Sequence, residues 1–119
     1  MEPKPVYWIK SSKEELCEFP VEVLRQVGYA LYFAQIGDKH PSAKPLKGFG
    51  GAGVLEIVED HDGDTYRAVY TVKFAGAIYV LHAFQKKSKS GIKTPKQTIT
   101  LIKERLKLAQ EDHERRGKQ

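Results

Sequence analysis

The stretch that most constrains this chain is residues 66–93, YRAVYTVKFAGAIYVLHAFQKKSKSGIK. Residues 66–74 and 77–84 are two runs dominated by Val, Ile, Tyr and Phe, side chains that suit a pleated, half-buried surface. Ala75-Gly76 between them is short enough for a hairpin, so the runs are expected to pair antiparallel. The second run empties into Gln85-Lys86-Lys87-Ser88-Lys89-Ser90-Gly91. A stiff apolar hairpin ending in cations sets positive charge at one edge of a small sheet, which favours a polyanionic partner.

The charge balance agrees. Residues 85–119 carry eleven Lys or Arg against four Asp or Glu, while residues 1–84 carry nine against eleven. The net charge of +5 therefore belongs to the C-terminal third, as a directed patch or as a solvated charged helix. A length of 119 residues fits a single domain over residues 1–119 with a modest core. Cys17 is the only cysteine, which excludes a disulfide framework and a cysteine zinc set. The Met-Glu-Pro-Lys-Pro start has no apolar leader, and no run approaches membrane-spanning length, so a reducing cytoplasm is the expected location.

Along the chain, Val6-Tyr7-Trp8-Ile9 reads as a first strand. Ser12 with Glu15 forms a capping-box pattern for a short helix that Pro20 interrupts. Pro20 suits the start of a second helix, with Leu24, Val27, Leu31 and Ala34 as its apolar stripe. Tyr29 and Phe33 lie near that stripe and are expected in the core. Residues 40–53 read as a loop. Its Gly48-Phe49-Gly50-Gly51-Ala52-Gly53 spells G-x-G-x-x-G, but a dinucleotide fingerprint follows a strand and opens a helix, and this one does neither. Three strands then follow as a meander, roughly 54–60, 65–74 and 77–85, with Asp62-Gly63 as the first turn. Thr94-Pro95-Lys96-Gln97 opens a last helix carrying Ile99, Ile102, Leu106 and Ala109 on one face and running to about Glu111. The tail from about 112 has no apolar residue and is expected to fray. The fold class is α+β: an antiparallel sheet with helices packed mainly on one face, in the order β-α-α-β-β-β-α.

Alternation places Arg67, Val69, Thr71 and Lys73 on one face of their strand. An arginine among apolar neighbours needs a counter-charge, either a structural partner in Glu56 or Glu59 or a phosphate ligand. His82 interrupts an apolar run, as a hydrogen-bonded core histidine or as a general acid or base. Asp60, Asp62 and Asp64 lack the glutamate that closes a calcium loop, and no metal site or cofactor motif is expected. Lys86, Lys87, Lys89 and Lys93 can neutralise a nucleic-acid backbone. They can also catalyse: RNA carries its own 2′-OH nucleophile, so a protein need only orient it and stabilise charge at the phosphate.

The segment YRAVYTV, with YVLHAFQKKS and TPKQTI after it and KPLKGFGGAGVLEI before it, resembles the RelE/ParE toxin superfamily, in particular its phage-derived, HigB-like branch. The resemblance spans roughly residues 5–110. It implies a compact microbial-RNase-like fold and the toxin half of a type II toxin–antitoxin pair. It also implies metal-independent cutting of mRNA on the ribosome and a helix-turn-helix antitoxin as partner. By this resemblance Arg67 matches the arginine that contacts the scissile phosphate, and Lys86 and Lys87 match the basic pair that stabilises transition-state charge. Two departures stand out. No cation lies in the strand around Glu56, and the C-terminal Tyr or His of RelE-like sites is missing, with Lys93 near its place.

The expectation is therefore a ribosome-dependent mRNA endonuclease with Arg67, Lys86, Lys87 and His82 in catalysis and Lys73, Lys89 and Lys93 on RNA. A non-catalytic binding module on the same scaffold and a ParE-like gyrase inhibitor are the alternatives.

Overall fold

A computed structural model describes residues 2–51, 53–86 and 94–118 of the chain. In order they form β1 (Val6–Trp8), α1 (Ser12–Cys17), α2 (Val21–Gln35), β2 (Ala43–Pro45), β3 (Val54–His61), β4 (Asp64–Thr71), β5 (Ile78–Lys86) and α3 (Lys96–Gly117). The strands make one mixed sheet in the order β1-β5-β4-β3-β2. The meander β3-β4-β5 is its centre. Asp62 and Gly63, at φ 50° and 85°, give the two positive-φ positions that a tight two-residue hairpin turn demands. His61 therefore faces Asp64, and the register runs unbroken to Val54 opposite Thr71.

The α+β class and element order hold, with three refinements. First, β2 lies hidden in the loop of residues 40–53 and pairs antiparallel with β3. Short and ending in Pro45, it is a blunted edge. The glycines beside it serve the backbone, since Gly53 has φ 71° and a Cβ there would stand 3.3 Å from the Lys73 nitrogen. Second, β1 runs parallel to β5, so the sheet is mixed. Its alternation sends Val6 and Trp8 into one core and Tyr7 into the other. Third, the helices divide between the faces. Leu16 of α1, with Val23, Val27, Ala30, Leu31 and Ala34 of α2, packs on Ile57, Ala68, Tyr70, Ile78 and Val80. Ile102 and Ala109 of α3 pack on the opposite face, against Val54, Val69, Tyr79 and Leu81. The reason lies in the central strands: Tyr66 to Thr71 are all buried, and a strand buried on both sides needs cover on both.

Local differences have equally plain causes. Ser12 does not cap; it is fully buried inside the first turn of α1, and the Ser11 hydroxyl instead donates to Glu15 at 2.8 Å. Tyr29 points to solvent, because Val23 and Ala30 occupy the sheet-facing side of α2. The tail expected to fray is helical to Gly117. It is held to the sheet by Asp112, which accepts from the Tyr79 hydroxyl at 2.7 Å and from Arg116 Nε at 2.6 Å, while the Arg116 guanidinium lies 3.6 Å from the Tyr7 ring centroid.

Candidate functional site

On the α3 side of the sheet, at the end where β3 turns into β4, three charged groups converge. Glu56 is the register partner of Val69, and Arg67 that of Val58, so the two charged residues sit diagonally across neighbouring strands on one face. Arg67 Nη1 donates to Glu56 Oε2 at 3.0 Å, and each side chain is only 7% exposed. This is the structural pairing that the sequence left open for Arg67, and it is a buried one. Lys86 joins from β5. It stands opposite Thr65 while Phe84 stands opposite Arg67, which brings Lys86 diagonal to Arg67 on the same face. Burial and the neighbouring Arg67 charge lower the Lys86 pKa, with Glu56 acting the other way. The β2 register adds Lys44 directly across from Glu56. β3 itself carries no cation near Glu56, and exposed Lys44 stands one strand over, in a segment that the sequence concealed within a glycine-rich loop.

His82 belongs to a different cluster. Between Val69 and Tyr70 the β4–β5 register shifts, so His82 faces Val69 and Val80 faces Tyr70, with Leu81 as the extra residue of a bulge. β1 covers β5 only as far as Val80, and α1 takes over beyond it. There Glu15 accepts the Ala83 N–H at 3.2 Å and lies 2.8 Å from His82 Nδ1. Arg105 reaches in from α3 and grips both Glu15 oxygens, at 3.0 and 3.2 Å, while donating to the Leu81 carbonyl at 2.9 Å. Burial pushes the Glu15 carboxyl up, but hydrogen bonds from Arg105, His82, Ser11 and the Ala83 N–H outweigh it and hold the pKa at about 2. An open cleft of about 600 Å³, lined by Lys10, Ser11, Glu14, Leu101, Glu104, Arg105 and Leu108, adjoins this network. Sequence reasoning gave Glu15 only as a capping-box residue and gave Arg105 no role, its one signal being an ordinary helical charge pattern.

The structure therefore brings together Arg67 and Lys86 and separates two others. His82 lies four residues from Lys86 along β5, roughly 13 Å, with Phe84 stacked between them at 4.9 Å from the His82 ring. Lys73 lies past the end of β4, roughly 20 Å along the strand direction from Arg67. It is exposed, its N–H bonded to the Thr71 hydroxyl and its ammonium near the Phe74 ring. The expected alternation does not reach Lys73, because β4 ends at Thr71, where the Thr71 hydroxyl and Val72 N–H turn to the Gly53 carbonyl. Lys87, Lys89 and Lys93 lie outside the described residues. Among the described residues no group of three His, Cys, Asp or Glu is placed to hold a metal ion, and no helix is long and apolar enough to cross a membrane.

A small mixed sheet with helices on both faces, and with Arg67, Glu56 and Lys86 gathered on one face, defines an α+β fold. Residues 14–107 match the family described as Phage derived protein Gp49-like (DUF891). The chain belongs to this family, a family of RelE-like toxins. Among solved structures it is similar to the toxin–antitoxin complex RelBE2 from Mycobacterium tuberculosis, with a TM-score of 0.45 and 20% identity over 74% of this chain and 97% of that one. No curated protein matches it significantly in sequence.

Proposed function

We infer that this RelE-like toxin is a metal-independent endoribonuclease that cuts mRNA on the ribosome, in the cytoplasm, and is neutralised by a helix-turn-helix antitoxin. The observation that carries the reading is the convergence of Arg67, Lys86 and Glu56 on one face at one end of the sheet. A phosphate entering at Lys86 competes with Glu56 for the Arg67 guanidinium, whose fork suits phosphate as well as carboxylate. Arg67 then offsets charge on the phosphate oxygens, and the released Glu56 carboxylate takes the proton of the adjacent 2′-OH. The 2′-oxygen attacks phosphorus, the bond to the 5′-oxygen breaks, and Lys86, its pKa lowered by burial and Arg67, gives that oxygen its proton. The products are a 2′,3′-cyclic phosphate and a 5′-hydroxyl end. Lys87 would add to the stabilisation of charge at the phosphate, and Lys44, Lys89 and Lys93 would hold RNA backbone. His82, committed to Glu15, positions β5 in this reading and transfers no proton.

A second reading is favoured by one specific observation, the 7% exposure of both partners in the Arg67–Glu56 pair. A pair so enclosed suits a scaffold that binds without cutting. Inducing the gene alone and mapping 5′ ends on a reporter mRNA decides between them. New 5′ ends that vanish when translation of the reporter is blocked are expected. Growth arrest with intact mRNA and DNA damage would indicate a gyrase inhibitor instead, and a stably folded, harmless product the binding module.

A further inference from the structure

Five large apolar side chains are exposed among the described residues, and four of them, Val21, Tyr29, Tyr32 and Ile36, lie on or at the end of α2. With Arg25 and Gly28, also exposed, they form a single stripe at helical spacing along the outer side of that helix, opposite the side that packs on the sheet. Gly28 is the odd member. Nothing lies within 4 Å of where its Cβ would be, and its φ is not left-handed, so the fold of one chain does not call for glycine there. An exposed mid-helix glycine is destabilising relative to alanine. Its use is the notch it leaves for another molecule.

The order of residues says which molecule. A two-fold axis requires a patch that complements itself, residue i meeting j and j meeting i. If two copies of α2 cross antiparallel about a point between Gly28 and Tyr29, Val21 meets Ile36, Arg25 meets Tyr32, and Gly28 meets Tyr29. Each pairing is favourable: apolar on apolar, guanidinium over a ring, and ring into notch. We propose that α2 is a homodimerisation surface through which a second copy of this chain docks antiparallel, Tyr29 of each protomer seated on Gly28 of the other. Val21, Tyr29, Tyr32 and Ile36 are 63%, 53%, 49% and 39% exposed. They offer on the order of 400 Å² per protomer, about half of a standard interface. The dimer is therefore weak and reversible, at the small end of specific interfaces. The candidate nuclease site lies on the other face of the sheet and stays open in it.

Sedimentation velocity on the full chain from about 1 µM to about 500 µM covers the range of a weak dimer. A monomer–dimer equilibrium is expected. Gly28→Arg and the double variant Tyr29→Ala/Tyr32→Ala should each weaken it at least tenfold with an unchanged circular dichroism spectrum. Gly28→Ala should raise the melting temperature while weakening the dimer, a combination that a purely structural glycine would not give. A monomer at every concentration, or a dimer indifferent to these variants, overturns the proposal. If the wild type stays monomeric and the double variant escapes its antitoxin, the stripe belongs to that partner and the proposal also fails.

Discussion

Arg67→Ala leaves the Glu56 carboxylate behind at 5% exposure, with its partner at 3.0 Å removed. Breaking one side of a buried ion pair typically costs about 3–5 kcal/mol, because the remaining charge is poorly hydrated and has lost its direct partner. A domain of this size has a total stability of roughly 5–15 kcal/mol, so the loss is a large fraction of it. At about 4 °C per kcal/mol for such a length, the melting temperature should fall by about 12–20 °C. The double replacement Arg67→Met/Glu56→Leu removes both charges and refills the volume, and should recover most of that loss. Urea unfolding of the wild type, both single variants and the double variant gives the coupling energy directly. Two outcomes would refute the reasoning: Arg67→Ala losing less than about 1 kcal/mol, or the double variant being no more stable than the two single losses added together. Either would mean that the pair is wet or replaceable in the folded chain.

The Glu15 network gives two further predictions. Its folded pKa of about 2 lies below the ordinary 4.5, so the stabilisation is complete above about pH 4.5 and is lost as pH falls through about 2. Glu15→Gln should flatten that acid limb of the stability curve, which urea unfolding at stepped pH will show; an unchanged limb would assign acid sensitivity elsewhere. Arg105 spans both Glu15 oxygens and the Leu81 carbonyl, so Arg105→Ala should cost about 3–5 kcal/mol. Arg105→Lys should recover only part of this, because an ammonium lacks the fork that serves two oxygens and a carbonyl together. Equal stability of the Lys variant and wild type would show that only the charge matters.

How much of this was legible in the sequence depends on the range of the force concerned. The β3–β4 hairpin was readable because Asp62-Gly63 and the alternation beside it are local. The stripe of Ile99, Ile102, Leu106 and Ala109 predicted a buried face for α3, but a stripe says only that it must be covered. Which sheet face it meets was decided by competition with α2 and by the two-sided burial of residues 66–71. β2 escaped because three residues between a histidine turn and four glycines carry no periodic signal. Arg105 looked like one charge among many on a polar helix, and only the packing of α1 beside the edge of β5 left uncovered by β1 brings Glu15 and the Leu81 carbonyl to it. Lys73 was misplaced by extending alternation past a strand that stops at Thr71. Arg67 and Lys86 were named from strand alternation, the basic cluster and the family resemblance, and only the register shows that they stand diagonally on one face, whereas Glu56 entered only as the possible partner of Arg67.

The most direct measurement adds the purified chain to ribosomes programmed with a defined mRNA and follows cleavage by primer extension in single turnover. The expected result is cutting on ribosome-bound mRNA, leaving a 2′,3′-cyclic phosphate and a 5′-hydroxyl. Glu56→Gln and Lys86→Ala should each slow it about 10²–10⁴-fold while retaining a cooperative unfolding transition. Undiminished cleavage by both folded variants would contradict the assignment of this end of the sheet as the reacting site, and intact mRNA with the wild type would contradict the nuclease itself.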